Sequence, residues 1–229
     1  MKELIILAGG LGTRLRSEVP DLPKCMAPVK GKPFIDFVID YYISQKIEKF
    51  IFALGYKSEI LQNHLTEKYP NQQLEFSLEE EPLGTGGAIK LACEKASEEN
   101  VFITNGDTLF KVDVEALAKT HMHNKAECTL GLKPMQNFER FGVVKVDNNN
   151  CVQSFQEKQY YAEGLINGGF YALNIQIFLK KNFENKFSFE KDYLEQFVSQ
   201  KKIFASVQDK YFIDMGIPED YRRAAEELE

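Results

Sequence analysis

The sequence predicts an α/β fold with a mixed, mainly parallel central sheet and a second half richer in strand. Three observations carry that expectation. Up to about residue 125, short apolar runs alternate with stretches of helical periodicity, the pattern of a parallel, doubly wound sheet. From Glu127 onward, strand-like segments follow one another with turn residues between them. The chain of 229 residues, 44% hydrophobic and 27% charged, is long enough for one compact unit with a sizeable core.

The first strand is expected at Glu3 to Ala8, with others at Lys49 to Leu54, Leu74 to Leu78 and Val101 to Thr104, each bounded by Gly, Pro, Asn or charge. Between the first two, Phe34, Phe37, Val38 and Tyr41 recur at i, i+3, i+4 and i+7 behind Pro33, which suits the first turn of a helix. Ser58 before Ile60, Leu61 and Leu65 starts a second helix, and Gly86-Gly87-Ala88-Ile89 opens a third. In the later half, strands are expected at Cys128 to Leu132, Gly142 to Val146, Val152 to Gln156 and Gly169 to Leu173, with Asp147-Asn148-Asn149-Asn150 turning between two of them. Tyr211 to Asp214 reads as a strand that feeds a last helix from Pro218 with an apolar face of Tyr221, Ala224, Ala225 and Leu228. No repeat, low-complexity tract or linker divides the chain, so residues 1–229 read as one domain with halves of about 1–125 and 126–229.

With 28 basic and 34 acidic residues the formal charge is −6, which argues against a surface built for nucleic acid. A pocket with a few converging cations still suits a small anion. The opening apolar run is too short for a signal peptide, and no stretch approaches the roughly 20 apolar residues that span a bilayer. The expectation is a cytoplasmic protein without a membrane partner. Cys25, Cys93, Cys128 and Cys151 form neither a zinc pattern nor a disulfide framework and are expected as reduced thiols. The sequence is compatible with a monomer or a homo-oligomer.

The most informative stretch is Leu7-Ala8-Gly9-Gly10-Leu11-Gly12-Thr13-Arg14-Leu15, a glycine cluster directly after the first strand. Glycines there let backbone N–H groups approach an anion closely, and Arg14 adds a fixed positive charge. Two common phosphate motifs do not fit. The dinucleotide fingerprint needs Gly or Ala where Leu15 stands, and the P-loop pattern fails around Gly31-Lys32 because Met26 and Pro33 occupy its required positions.

What fits is a longer string: Gly9-Gly10-x-Gly12-Thr13-Arg14-Leu15, then Leu22-Pro23-Lys24, Pro28-Val29 and Gly31-Lys32-Pro33. It resembles the sugar-1-phosphate nucleotidyltransferase family. The resemblance runs on in order through Glu81-Pro82-Leu83-Gly84-Thr85-Gly86-Gly87, Asn105-Gly106-Asp107, Gly142-Val143-Val144, Glu157-Lys158, Asn167-x-Gly169 and Asp214-x-Gly216-x-Pro218-Glu219-Asp220-Tyr221. The chain departs from many relatives at Arg16-Ser17-Glu18-Val19-Pro20 and at Lys24-Cys25-Met26, positions that bear on the choice of sugar and base.

The resemblance implies a Rossmann-like nucleotidyltransferase fold, nucleotide over the first half and sugar over the second. It implies attack by a sugar 1-phosphate oxygen on the α-phosphorus of a nucleoside triphosphate, with release of pyrophosphate. The sugar phosphate, with a second pKa of about 6, is already largely dianionic and needs no general base, which agrees with the absence of His from every matched block. By resemblance, Arg14 stabilises the leaving pyrophosphate, Lys24 bridges the reacting phosphates and Lys158 holds the phosphate of the sugar. Leu7, Ala8, Gly9, Gly10, Gly12, Thr13, Glu81, Gly84 and Thr85 border the nucleotide; Gly142, Glu157 and Asn167 border the sugar. Asp107 and Asp214, each at a strand end, supply oxygens for Mg²⁺. The opening and the Glu81–Gly87 block are most similar to the branch that takes GTP and a heptose 1-phosphate. Mannose or N-acetylhexosamine 1-phosphate with GTP, UTP or dTTP, and a catalytically silent sensing module, stay open as alternatives.

Several of these residues have plainer explanations when taken singly. Asn105-Gly106-Asp107 reads as a turn, Asn167-Gly168-Gly169 as a bulge in a strand, and Glu157-Lys158 as a solvated ion pair. Cys25 reads as a tolerated loop residue without a covalent role. His64, His121 and His123 fall on polar helical stretches outside every block and are expected at the surface.

Overall fold

The computed structural model describes residues 1–10 and 22–228. In chain order the first half contains β1 (Glu3–Leu7), β2 (Pro28–Val29), β3 (Lys32–Pro33), α1 (Phe34–Ser44), β4 (Lys49–Leu54), α2 (Ser58–Lys68), β5 (Gln73–Leu78), α3 (Gly84–Ala92), β6 (Asn100–Asn105), β7 (Thr108–Phe110) and α4 (Val114–His123). The second half contains β8 (Cys128–Phe138), β9 (Val143–Val146), β10 (Val152–Gln156), β11 (Tyr161–Asn174), α5 (Ile175–Leu179), a π-helical stretch Phe189–Glu195, β12 (Ile203–Val207), β13 (Phe212–Asp214) and α6 (Pro218–Glu227).

Among the described residues, nine strands form one sheet, whose main path runs β10-β9-β11-β6-β1-β4-β5, with β8 paired to both β11 and β12. The strands β6, β1, β4 and β5 are mutually parallel, whereas β11 runs antiparallel to β6 and to β8. The expected mixed, mainly parallel sheet is therefore present.

Its parallel part is buried on both faces, and the alternation of side chains shows how. Leu4 and Ile6 of β1, Phe50, Phe52 and Leu54 of β4 and Phe102 of β6 point into one core with α1, α2, α4 and α6. Ile5, Ile51, Ala53, Val101 and Ile103 point into the other, against α3, α5 and the π-helical stretch. Period-two alternation with both faces apolar is what makes these strands read as unbroken apolar runs.

Helix boundaries follow local chemistry. Asp113 caps α4 by accepting from Ala116 N at 2.9 Å, and Asn174 caps α5 by accepting from Ile177 N at 3.0 Å. Ser58 is the first residue of α2, but the cap position is Lys57, in the left-handed region at φ 54°. The third helix begins at Gly84, two residues before the expected Gly86. The strands β8 and β11 extend well beyond the expected segments, because Asn167 to Gly169 does form a bulge: the β11–β8 register shifts between Asn167 and Tyr171, and pairing resumes on both sides.

Candidate active site

At the carboxyl ends of β1, β4 and β6 the surface opens into a cavity of about 520 Å³. Ligands bind at this end of open α/β sheets because loops diverge there and backbone groups are free to turn toward a guest. Leu7, Ala8, Gly9 and Gly10 form one wall, Glu81, Gly84 and Thr85 another, and Lys24 and Asp107 lie at its edge. Of the residues expected around the nucleotide, Gly12 and Thr13 lie outside the described residues, as does Arg14.

The Gly84-Thr85-Gly86-Gly87 block has a packing reason to be so poor in side chains. The segment from Asn185 to Glu190 lies directly on α3. A Cβ at Gly84 would sit 2.6 Å from the Phe187 carbonyl oxygen, one at Gly86 2.2 Å from the Phe187 ring, and one at Gly87 2.4 Å from the Asn185 carbonyl oxygen. Gly84 also has φ +73°, where only glycine is unstrained. Thr85, the one residue of the block with a substantial side chain, makes the link: its hydroxyl donates to Glu190 Oε2 and accepts from Phe189 N, both at 2.9 Å.

A second cavity, of about 430 Å³, adjoins the first, and Asn105 borders both. Lys158 and Asn167, expected at the sugar, and Asp214, expected at the metal, line it together with Arg140, Tyr171 and Glu190. The Asn167 side chain is fixed by its neighbours: Oδ1 accepts from Gly169 N at 3.1 Å and Nδ2 donates to Tyr171 Oη at 2.9 Å. Gly142 and Glu157 are not among the lining residues. Glu157 is exposed in the loop after β10, and a Cβ on Gly142 would come within 2.4 Å of the Gln156 carbonyl oxygen, so backbone approach to β10 accounts for that glycine.

The two expected carboxylates converge. In the β7–β13 pair Asp214 lies opposite Thr108, and Met215 N donates to the Asp107 carbonyl oxygen at 2.9 Å, which sets Asp107 and Asp214 at the same end of the ribbon. Lys24, in the 3-10 turn Lys24–Met26, forms an ion pair with Asp107 Oδ2. Burial, and after it the charge of Asp107, raises the Asp214 carboxyl above the usual carboxylate range, with Lys24 and Arg140 pulling the other way. Two like charges held this close with oxygen donors only form a donor set suited to a hard divalent cation. Among the described residues no cluster of three or more His, Cys, Asp or Glu side chains could hold a metal, so an ion here would complete its shell from phosphate and water oxygens.

Several lining residues went unassigned from sequence, among them Asn105, Arg140, Glu190 and Glu79. Asn105 was visible within its block, but only the fold shows it shared by both cavities. Arg140 comes from the loop between β8 and β9 and Glu190 from the π-helical stretch, neither with a motif of its own. Glu79 directly follows β5, before the Glu81 block; its carboxylate borders the first cavity, accepts from Leu83 N at 2.8 Å and lies against Gly9, and burial raises its carboxyl.

Two expectations need correction. His121 is not a surface residue: it is 1% exposed, with Nδ1 on Thr129 Oγ1 and Nε2 on Asn100 Oδ1, each at 3.0 Å. His64 is half-buried against Asp36 at 2.7 Å. Both lie away from the cavities, and a polar helix pattern failed to reveal them because each histidine substitutes for an apolar residue on an inner face. Cys25 borders the first cavity but is buried, which pushes its thiol up to about 12 and leaves it unreactive.

The fold and the paired cavities define an enzyme class that joins a nucleotide to a phosphorylated partner, and the comparisons agree: the chain belongs to the nucleotidyl transferase family, whose model, described as "Nucleotidyl transferase", matches residues 3–229. A D-glycero-alpha-D-manno-heptose 1-phosphate guanylyltransferase from Aneurinibacillus thermoaerophilus is 49% identical, over 99% of this chain and 98% of its own. One of the same name from Campylobacter jejuni is 42% identical over 96% of each chain. The crystal structure of HddC from Yersinia pseudotuberculosis complexed with GMP-PN superposes with a TM-score of 0.89 at 36% identity, covering all of both chains.

Proposed function

We propose that the enzyme transfers a guanylyl group from GTP to D-glycero-α-D-manno-heptose 1-phosphate, forming GDP-heptose and pyrophosphate. The observation that carries this reading is the junction of the two cavities at Asn105, with Lys24, Asp107 and Asp214 beside it, in a chain 49% identical to a guanylyltransferase so named. The Glu79 carboxylate favours a guanine, whose N1–H and N2 amino group both donate.

The triphosphate lies along the backbone of Gly9 and Gly10, with Arg14 on the departing pyrophosphate. Lys24 holds the α-phosphate near the incoming oxygen, and Lys158 holds the phosphate of the sugar, so the nucleophile arrives oriented rather than activated by a base. Asn167, fixed by Gly169 and Tyr171, presents its amide to sugar hydroxyls. Asp107 and Asp214 would hold Mg²⁺, which when bound supplies charge neutralisation for the phosphates. The reaction takes place in the cytoplasm and serves surface-polysaccharide synthesis.

Pyrophosphate release tests this reading, with GTP, ATP, CTP, UTP and dTTP each crossed with the heptose, mannose and glucose 1-phosphates in the presence of Mg²⁺. Turnover with GTP and the heptose phosphate is expected. Preference for another pair would overturn the substrate assignment, and silence across the grid would overturn the catalytic reading.

A further inference from the structure

Resting on the sugar 1-phosphate reading above, we propose that Arg140 is a second cationic contact for the phosphate of the sugar substrate, aimed by Asp220. Arg140 stands in the loop between β8 and β9 and lines the second cavity, where Lys158 is the other lining cation among the described residues. A dianionic phosphate entering a pocket that also contains Glu190 meets negative charge there, and a second cation beside Lys158 offsets more of it than one lysine can.

Its geometry suits the task. Nη1 pairs with Asp220 Oδ2 on α6, and the guanidinium lies over the Phe141 ring at 5.6 Å from the centroid. One edge and one face are thereby fixed. Nη2 approaches the inner side of Gly216: a Cβ built there would lie 3.5 Å from Nη2 and 3.2 and 3.3 Å from the Asp214 carboxylate oxygens. The guanidinium therefore flanks the same glycine as Asp214, and a side chain at 216 would wedge between them. A planar fork anchored on one edge presents its remaining N–H groups in a fixed direction, which is the arrangement in which arginine binds phosphate well. Asp220 has another basic partner, Arg223, 3.3 Å away on the same helix, so a purely structural pairing for Asp220 exists without Arg140.

The test separates substrate contact from helix anchoring. Arg140→Gln, Arg140→Lys, Asp220→Asn and Arg223→Gln are compared with the unaltered enzyme by KM for each substrate, kcat and thermal midpoint. Arg140→Gln should raise KM for the sugar 1-phosphate roughly 10- to 100-fold, the range for losing one charge-assisted hydrogen bond, with KM for GTP within about twofold. Arg140→Lys should recover part of the loss, Asp220→Asn should raise the same KM less, and Arg223→Gln should leave it unchanged. Equal rises in both KM values, an unchanged sugar KM in Arg140→Gln, or the same effect from Arg223→Gln would overturn the proposal. Failure of the unaltered enzyme on every sugar 1-phosphate would instead remove the reading it rests on.

Discussion

Replacing Thr85 by Val tests whether the hydroxyl that joins α3 to the π-helical stretch holds the two cavities together. Valine keeps the branched shape but can neither donate nor accept. In the native protein Thr85 Oγ1 accepts from Phe189 N and donates to Glu190 Oε2, each at 2.9 Å. Phe189 is fully buried, so its amide would be left unpaired, at about 1–3 kcal/mol. Glu190 keeps the Ser188 hydroxyl as a donor at 3.2 Å, so the loss on that side is about 1 kcal/mol. The expected loss is about 3 kcal/mol, a large share of the 5–15 kcal/mol that typically holds a domain folded. Urea unfolding reads it directly, with an unchanged m-value as the check that the same surface is exposed. Thr85→Ser keeps both hydrogen bonds and should lose about 1 kcal/mol for the methyl group. Equal destabilisation by serine and valine, or a loss under about 0.5 kcal/mol in the valine variant, would refute the hydrogen-bond reasoning.

Asp107→Asn should keep the fold yet lower kcat by at least about 100-fold, because it removes ligand charge and the partner of Lys24 while preserving shape; circular dichroism beside pyrophosphate release checks both halves. Gly84→Ala should destabilise by about 1–3 kcal/mol, since the methyl meets the Phe187 carbonyl at 2.6 Å and φ is +73°, again read by urea unfolding. His121 has a folded-state pKa lowered by burial to about 4, below its ordinary value of 6.5, so the unfolded chain binds more protons between the two. The stability this contributes is complete above pH 6.5 and is lost as pH falls toward 4, about 3 kcal/mol in all; urea midpoints across that range should fall more steeply for the native protein than for His121→Gln.

How much of this was legible in sequence depended on where each element's partners lie. The strands β1, β4 and β6 could be read because both faces are buried and their apolar runs are continuous. The inner face of α4 could not: the stretch reads as polar helix, but the face that packs inward is Val114, Leu117 and His121, and the histidine breaks the apolar pattern that would have marked it. The strand β12 owes its existence to parallel pairing with β8, more than sixty positions earlier, which no local signal announces. The π-helical stretch is likewise defined by what it covers. Asp107, Asp214, Lys24, Lys158 and Asn167 were recognisable within blocks, and the fold brings them around the two cavities; Arg140 and Glu190 were not, because contacts with α6 and α3, distant in sequence, fix them there.

The strand β11 has a mechanical consequence. It pairs with β6 of the first half through a run from Phe170 to Asn174, and with β8 of the second half on either side of the bulge, from Tyr161 to Asn167 and from Tyr171 to Leu173, meeting β9 at Ile166. The floor beneath both cavities is thus a single woven fabric, and swinging one half against the other would tear main-chain bonds rather than bend a joint. The enzyme resembles a workbench with fixed vices more than a pair of jaws. Its overall dimensions in solution scattering should stay the same from the free protein through substrate to product, leaving only loops above the sheet to accommodate the passage of phosphate.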